Sequence, residues 1–142
     1  MNKRKIFVDS DVVISSLISE KGAAYHLLNE VKFSFVISNF SQLELENVVD
    51  RLNLDRTQLK ELIKKKLKII KLTTDLDEAK RRFKDYTSDT NDAHIVAGAA
   101  KAKAKFLLTY NIRHFEKQKI NEDLGIVVLT PAQYLQYLRS ID

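Results

Sequence analysis

Positions 6–13 of the chain read IFVDSDVV, and this stretch decides the fold. Its three leading residues form a solid apolar run, so we predict a strand over Lys5–Val8 that is buried on both faces. Two acids, Asp9 and Asp11, end the run, and a helical pattern begins at Val12. An acid at the carboxyl end of a buried strand is well placed to bind a ligand. It can equally cap the helix that follows.

Four more apolar runs have the length and composition of strands, and helical periodicity fills the segments between them. They cover Ser34–Ile37, Lys68–Leu72, Phe106–Leu108 and Ile126–Leu129. Solid apolar strands that alternate with helices predict an α/β fold, with a parallel sheet covered on both faces. Because the 142 residues contain no repeat or linker, we expect one domain over residues 1–142.

The composition excludes several kinds of chemistry. The chain contains no Cys, which excludes disulfides, thiolate catalysis and Cys-based zinc sites. Three apolar residues precede Asp9, too few for the core of a signal peptide, and no window approaches the roughly 18 apolar residues of a membrane span. We therefore expect a cytoplasmic protein with no membrane partner.

Basic residues are unevenly distributed. Lys and Arg outnumber Asp and Glu by 24 to 19, which gives a formal net charge of +5, and the excess concentrates in residues 51–71 and 101–119. Local basic excess favours a polyanionic partner, although a lysine-rich helix face can also be ordinary solvated surface. The candidate contacts to nucleic acid are Lys64, Lys65, Lys66 and Arg113.

A second functional acid is predicted on a helix that Ser38 or Asn39 caps. Phe40, Glu44 and Val48 are spaced i, i+4, i+8 and share a stripe that is otherwise apolar. A carboxylate on a buried stripe is costly unless it is paired or binds a cation. Glu44 is therefore either a metal ligand or the partner of a buried Lys or Arg.

A third group of acids opens the Ala-rich helix that we predict over Thr90–Lys103. Asp92, Ile95 and Val96 fall at i, i+3 and i+4 on its core-facing stripe. Asp89 lies three residues before Asp92, at the helix entrance, where capping and function explain it equally well. Capping explains Asp92 poorly, since the pattern places it inside the helix.

Thr109 and Asn111 follow the predicted strand Phe106–Leu108 and so lie near another carboxyl end. Such a turn is common by itself and gains weight only beside the acids. Carboxylates without His or Cys favour the hard cations Mg²⁺ or Mn²⁺ over zinc. A pocket of this kind beside basic helices suits phosphate-ester chemistry. No ligand spacing joins the histidines, which we expect at the surface or behind the site: His26, His94 and His114.

Four segments in this order resemble the PIN-domain nucleases, and the VapC-like toxin branch in particular. Residues 6–14 resemble the family's opening strand with its first acid, and residues 38–48 resemble the segment with its second. Residues 89–95 are similar to the segment with the third acid. Residues 107–115 are similar to the Thr-x-Asp/Asn segment near the fourth position. The resemblance covers essentially the whole chain.

The resemblance implies a three-layer fold with a central, mostly parallel sheet of about five strands flanked by helices. It also implies RNA cleavage that depends on Mg²⁺ or Mn²⁺, often a homodimer and, for the toxin branch, a neutralising antitoxin. Carried over by position, the catalytic metal ligands are Asp9, Glu44 and Asp92. The additional candidates are Asp89 as a further metal ligand, with Asp11, Thr109 and Asn111 as supporting residues.

Two positions depart from the family pattern. Many members have Asp where this chain has Asn111, so one metal site loses a charge. Asp11 stands where Asn is common and compensates in part. We expect one metal to bind weakly, with substrate phosphate completing the shell of a second. Our mechanistic hypothesis is that Asp9 and Asp92 hold the principal metal, that Glu44 holds or bridges to it, and that water attacks phosphorus in line.

Two other functions fit parts of the pattern. Asp9-Ser10-Asp11 resembles the nucleophile and acid pair of haloacid-dehalogenase-type phosphatases, but that reading leaves Glu44 without a role. The second alternative is a degenerate PIN-like domain that binds RNA or a partner protein without turnover. The amide at Asn111 keeps this alternative open.

Overall fold

The structure is a computed structural model that describes residues 5–30 and 34–141. Strands and helices alternate along the chain, as the apolar runs predict. In chain order they are β1 (Ile6–Val8), α1 (Ser10–Ile18), α2 (Ala23–Glu30), β2 (Phe35–Ser38), α3 (Asn39–Arg51), α4 (Arg56–Lys66), β3 (Leu67–Ile70), α5 (Leu76–Phe83), α6 (Ala93–Lys101), β4 (Phe106–Leu108), α7 (Lys117–Leu124), β5 (Val127–Leu129) and α8 (Pro131–Ser140).

The strands form one parallel sheet in the order β3-β2-β1-β4-β5. This confirms the predicted fold class, and each predicted strand matches an observed one to within two residues. The chain adds strands to one side of β1 and then crosses to the other side at β4. The reversal of strand order therefore lies between β1 and β4, where parallel sheets usually bind ligands.

Side chains of β1 alternate between two apolar layers. Ile6 and Val8 pack into a cluster with residues of α1, α2, α3, α4 and α8, whereas Phe7 packs into a second cluster with residues of α6 and α7. Burial on both faces explains why the strands are solid apolar runs. Gly98 lets α6 approach the sheet closely, since a Cβ there would lie 2.6 Å from Cζ of Phe7.

Two helices differ from the sequence prediction. The helix expected over Thr90–Lys103 begins at Ala93, because Thr90–Asp92 forms a short 3₁₀ turn instead. Helix α7 was not predicted. Only Ile120 on it is fully buried, so its apolar stripe is too sparse to indicate a helix from periodicity alone.

The sheet has two chemically different edges. We call the edge where the strands end the carboxyl edge, and the edge where they begin the amino edge. Asp9 follows β1 and Thr109 follows β4 at the carboxyl edge, on either side of the strand-order reversal. No helix in the described ranges is long and apolar enough to cross a membrane.

Candidate active site at the carboxyl edge

Asp9 lies at the centre of the carboxyl edge. Its backbone N–H continues the ladder between β1 and β4 by donating to the Leu108 carbonyl at 2.9 Å. The side chain is 6% exposed and is the N-cap of α1, with Oδ1 accepting from the Ser10 N–H at 2.7 Å. Its other oxygen, Oδ2, accepts from the Thr109 hydroxyl at 2.9 Å. Asp9 therefore caps a helix and also presents a buried carboxylate at the strand-order reversal.

Asp11 and Thr109 extend the site from Asp9 towards β4. Asp11 Oδ2 accepts from the Tyr110 N–H at 3.1 Å, while Asp11 Oδ1 is buried and forms no hydrogen bond with any described residue. The fully buried Thr109 hydroxyl also accepts from the Asn111 N–H at 3.0 Å. The Asn111 side chain is exposed at the start of the turn Ile112–His114. Thr109 thus links both acids to the loop after β4.

Asp92 enters the site from the amino-terminal end of α6. The sequence pattern placed it inside the helix, but it is the N-cap position of α6 and its side chain makes no capping bond. Instead, Asp92 Oδ2 lies 3.0 Å from His114 Nδ1. Asp89, the cap of the preceding 3₁₀ turn, accepts from the Asn91 N–H at 2.9 Å and is exposed. Asp89 is therefore a helix cap. The Asp92 side chain is not a cap, but the reason is its contact with His114 rather than a place inside the helix.

Glu44 is less buried than the sequence predicts. The buried residues of α3 are Ser41, Leu45 and Val49, one position further along the helix, so the stripe with Glu44 lies at the margin of the core. The Glu44 side chain remains 45% exposed, and its basic neighbour is His94 rather than a buried Lys or Arg. His94 Nε2 stands 3.8 Å from Glu44 Oε2, which is too long for a hydrogen bond.

Burial and neighbouring groups shift the pKa values of all four acids. Burial, together with the charges of Asp11, Asp92 and Glu44, raises the pKa of Asp9 to about 8, and the Thr109 hydrogen bond opposes this rise. Burial also raises the pKa of Asp11 and of Asp92, and the contact with His114 opposes the rise at Asp92. The pKa of Glu44 is lowered, chiefly by His94. Asp11, Glu44 and Asp92 therefore lie within electrostatic reach of Asp9.

The donor chemistry fits a hard cation, but the side chains are not assembled as a ligand set. All four acids offer oxygen atoms, and the buried, unpartnered Asp11 Oδ1 is the kind of atom that a cation would satisfy. Within residues 5–30 and 34–141, however, no three His, Asp or Glu side chains form a group that could hold a metal ion. Asp92 is instead engaged with His114, and Glu44 with His94.

The comparison with known families decides the identity of the fold. The PIN domain sequence profile matches residues 5–113, which cover β1 through the turn after β4 and all the acids described above. The chain belongs to the PIN domain family.

Solved structures agree with this assignment. A toxin–antitoxin complex from Klebsiella pneumoniae superposes with a TM-score of 0.64 at 20% identity, over 89% of this chain and 97% of that one. VapBC2 from Rickettsia felis, bound to a DNA fragment from its promoter, gives 0.60 at 16% identity, over 87% and 96%. Mycobacterium tuberculosis VapC20, a toxin that cleaves the sarcin–ricin loop, gives 0.53 at 18% identity, over 72% and 86%. These identities show a shared fold. No curated protein matches the sequence significantly.

The lysine run that we predicted to contact nucleic acid lies away from the acids of the candidate active site. Lys64, Lys65 and Lys66 end α4 immediately before β3 begins, so they lie at the amino edge of the sheet. Arg113 is exposed in the turn Ile112–His114, next to the histidine that contacts Asp92. The structure thus brings Arg113 to the site and leaves the lysine run on the opposite side.

Three residues near the acids were not assigned to the site from the sequence. His94 is 5% exposed behind Glu44, although a surface position was equally expected from the sequence, and His114 contacts Asp92 directly. Lys80 on α5 helps to lower the pKa of Glu44. Each contact joins residues from different elements, so spacing along the sequence carries no signal for it.

Proposed function

We propose that this protein is a Mg²⁺- or Mn²⁺-dependent endoribonuclease that hydrolyses RNA at the carboxyl edge. The observation that carries the proposal is Asp9, a buried carboxylate with three acids in electrostatic reach. Among the described residues no Lys or Arg forms a salt bridge with Asp9, Asp11, Glu44 or Asp92. A cluster of acids that destabilises its own ionised form is costly unless a cation neutralises it.

Each acid has a role in this proposal. Asp9 and Asp92 would hold the principal metal, Glu44 would hold it or bridge to it, and Asp89 is a further candidate ligand. A bound Mg²⁺ or Mn²⁺ would position the phosphate and lower the pKa of a water molecule that attacks phosphorus in line. Thr109 fixes the orientation of the Asp9 carboxylate through its 2.9 Å hydrogen bond. Asp11 contributes charge beside the neutral Asn111.

The biological setting belongs to the same proposal. The structural neighbours from Klebsiella pneumoniae and Rickettsia felis are toxin–antitoxin assemblies. On that basis we propose that this chain is the toxin of such a pair, with an antitoxin protein as its partner. We also propose a cytoplasmic homodimer in which residues 1–142 form a single nuclease domain. The haloacid-dehalogenase-type phosphatase is set aside, because the family and fold are those of a PIN domain.

RNA cleavage by the purified protein tests the proposal. Turnover should require Mn²⁺ or Mg²⁺, cease in EDTA and fall by at least about 100-fold in Asp9→Asn, since that variant loses a charged ligand. Asp55→Asn is the matched control, because Asp55 also caps a helix with its side chain, accepting from the Thr57 N–H at 2.8 Å, but lies exposed at the start of α4. It should cleave as wild type does.

Two results would contradict the proposal. Cleavage that persists in EDTA would point to a contaminating nuclease or to chemistry that does not use these acids. Unchanged RNA binding without any cleavage, in both wild type and Asp9→Asn, would favour the degenerate PIN-like binding domain instead.

A further inference from the structure

Lys80 lies close to the acids and is held in place. It sits on α5, which packs against α6 and against the 3₁₀ turn Thr90–Asp92. Its ammonium donates to the Asn91 side-chain oxygen at 3.2 Å. Asn91 directly precedes Asp92 in the chain. The hydrogen bond therefore tethers a partly buried positive charge one residue away from a candidate metal ligand.

The charge of Lys80 is not neutralised locally. Two arginines differ from it, since Arg81 on the same helix binds Glu78 and Arg56 binds Asp50. Within the described ranges no carboxylate forms a salt bridge with Lys80, and its tether is a neutral amide.

A nuclease site made of acids must solve an electrostatic problem. Four carboxylates attract a divalent cation, but they also repel the phosphodiester backbone that has to approach them. The lysine run of α4 cannot offset that repulsion at short range, because it lies at the amino edge. A tethered ammonium beside the acids can do so, and lysine commonly binds phosphate as a point charge.

We propose that Lys80 binds a phosphate of the RNA backbone next to the carboxylates and holds the substrate in register with them. Asn91 keeps the ammonium directed towards that position without neutralising it. This inference rests on the proposed function for the identity of the ligand, but it concerns binding rather than turnover. It adds a substrate-binding residue to the acids that act on the metal.

Binding and turnover of a short fluorescein-labelled single-stranded RNA test the proposal. Lys80→Gln keeps a side-chain donor for Asn91 and removes the charge. Measured in EDTA, its Kd should rise roughly tenfold, as expected for one charge-assisted hydrogen bond. The slope of log K against log salt should fall by about 0.7, as expected for one lost phosphate contact on a single strand. With Mn²⁺, KM should rise while kcat changes little.

Three further variants sharpen the test. Lys84→Gln removes an exposed lysine at the end of the same helix and should leave Kd, salt slope and KM unchanged. Lys80→Arg keeps the charge and should restore most of the affinity. Asn91→Ala keeps the charge but frees it from its tether, so Kd should rise by less than in Lys80→Gln. This last variant also provides a test if Lys80→Gln fails to fold.

The outcomes separate this inference from the proposed nuclease. Weaker RNA binding in Lys80→Gln supports the inference even if no variant ever cleaves RNA. Metal-dependent cleavage with unchanged Kd, salt slope and KM in Lys80→Gln would overturn the inference and leave the nuclease intact. An equal loss of affinity in Lys84→Gln would also overturn it, because the effect would then reflect only the overall charge of α5.

Discussion

The two edges of the central sheet carry opposite charge. At the carboxyl edge, Asp9 follows β1 and lies within electrostatic reach of three further acids. At the amino edge, exposed or partly exposed lysines stand immediately before three of the strands: Lys5 before β1, Lys66 before β3 and Lys105 before β4. Net charge alone, at +5, hides this division.

The difference teaches that charge near a functional site must be judged by topology rather than by position in the sequence. In a parallel sheet, every helix that leads into a strand ends at the amino edge. A basic run at such a helix end is therefore separated by the length of the strands from acids that follow them. Cations on the acidic side, such as Lys80, then have the larger influence on substrate.

The largest expected effect on the acidic side comes from Asp92. We expect Asp92→Asn to lower metal-dependent turnover by at least about 100-fold, since it removes a charged ligand from the metal. Asp85 is an exposed acid in the 3₁₀ turn Lys84–Tyr86, so Asp85→Asn is the control and should behave as wild type. Steady-state RNA cleavage with Mn²⁺ measures both. Equal activity in Asp92→Asn and wild type would remove Asp92 from the site.

A smaller loss is expected at Glu44, which is at the margin of the cluster. Glu44→Gln should lower turnover by roughly tenfold, because a half-exposed carboxylate is more readily replaced by water as a ligand. Glu46→Gln removes a charge two residues away on the same helix and should change turnover by less than about twofold. If the two variants lose activity equally, general charge on α3 matters rather than ligation by Glu44.

The stability of the metal-free protein should depend on pH through Asp9. Its pKa rises from 3.8 to about 8 on folding, so between these values the folded chain retains a proton that the unfolded chain has lost. The free energy of unfolding therefore falls as pH rises from about 4 to about 8. Asp9→Asn cannot ionise and is still able to cap α1. In EDTA at pH 8 it should be more stable than wild type by over about 1 kcal/mol, or roughly 3 °C in Tm.

Thermal melts in EDTA across that pH range check this expectation. The difference between wild type and Asp9→Asn should shrink as pH falls and level off below about pH 4, once Asp9 becomes protonated in the unfolded state as well as in the folded one. Asp55→Asn, the exposed cap, should instead follow the wild-type pH dependence. Parallel curves for wild type and Asp9→Asn would show that Asp9 does not titrate as its burial requires.

The smallest effects are expected at the amino edge. Lys66→Gln and Lys105→Gln should each change cleavage of a short RNA by less than about twofold, because neither lysine can reach a phosphate bound at the acids. The same cleavage assay measures them beside Lys80→Gln. A rise in KM as large as that of Lys80→Gln would break the division between the two edges.

Much of the site follows from the sequence because strand ends are local signals. The apolar runs locate β1 and β4, and parallel pairing brings the residues after them together, which is where Asp9 accepts a hydrogen bond from Thr109. The rotation of a helix about its own axis is harder to predict from sequence than the position of a strand end. A rotation of one residue on α3 moves Glu44 from the core to its margin, and periodicity does not resolve that step.

The partners of the acids could not be predicted. His114 meets Asp92 across 22 positions and His94 meets Glu44 across 50, and neither spacing repeats a helical or strand period. The 3₁₀ turn before α6 is also invisible to a helical pattern, because its residues continue the same periodicity. The sequence favours Lys64, Lys65 and Lys66 as candidate contacts to nucleic acid, but the run directly precedes β3 and so lies at the amino edge.

Thermal unfolding with and without Mn²⁺ tests most directly whether the acidic edge is a cation site. A ligand that binds only the folded state raises Tm in proportion to its affinity. We predict that Mn²⁺ raises the Tm of the wild type clearly, raises that of Asp55→Asn equally, and leaves Asp9→Asn nearly unchanged. An equal rise in wild type and Asp9→Asn, or no rise in the wild type, would contradict the claim that these acids bind a metal.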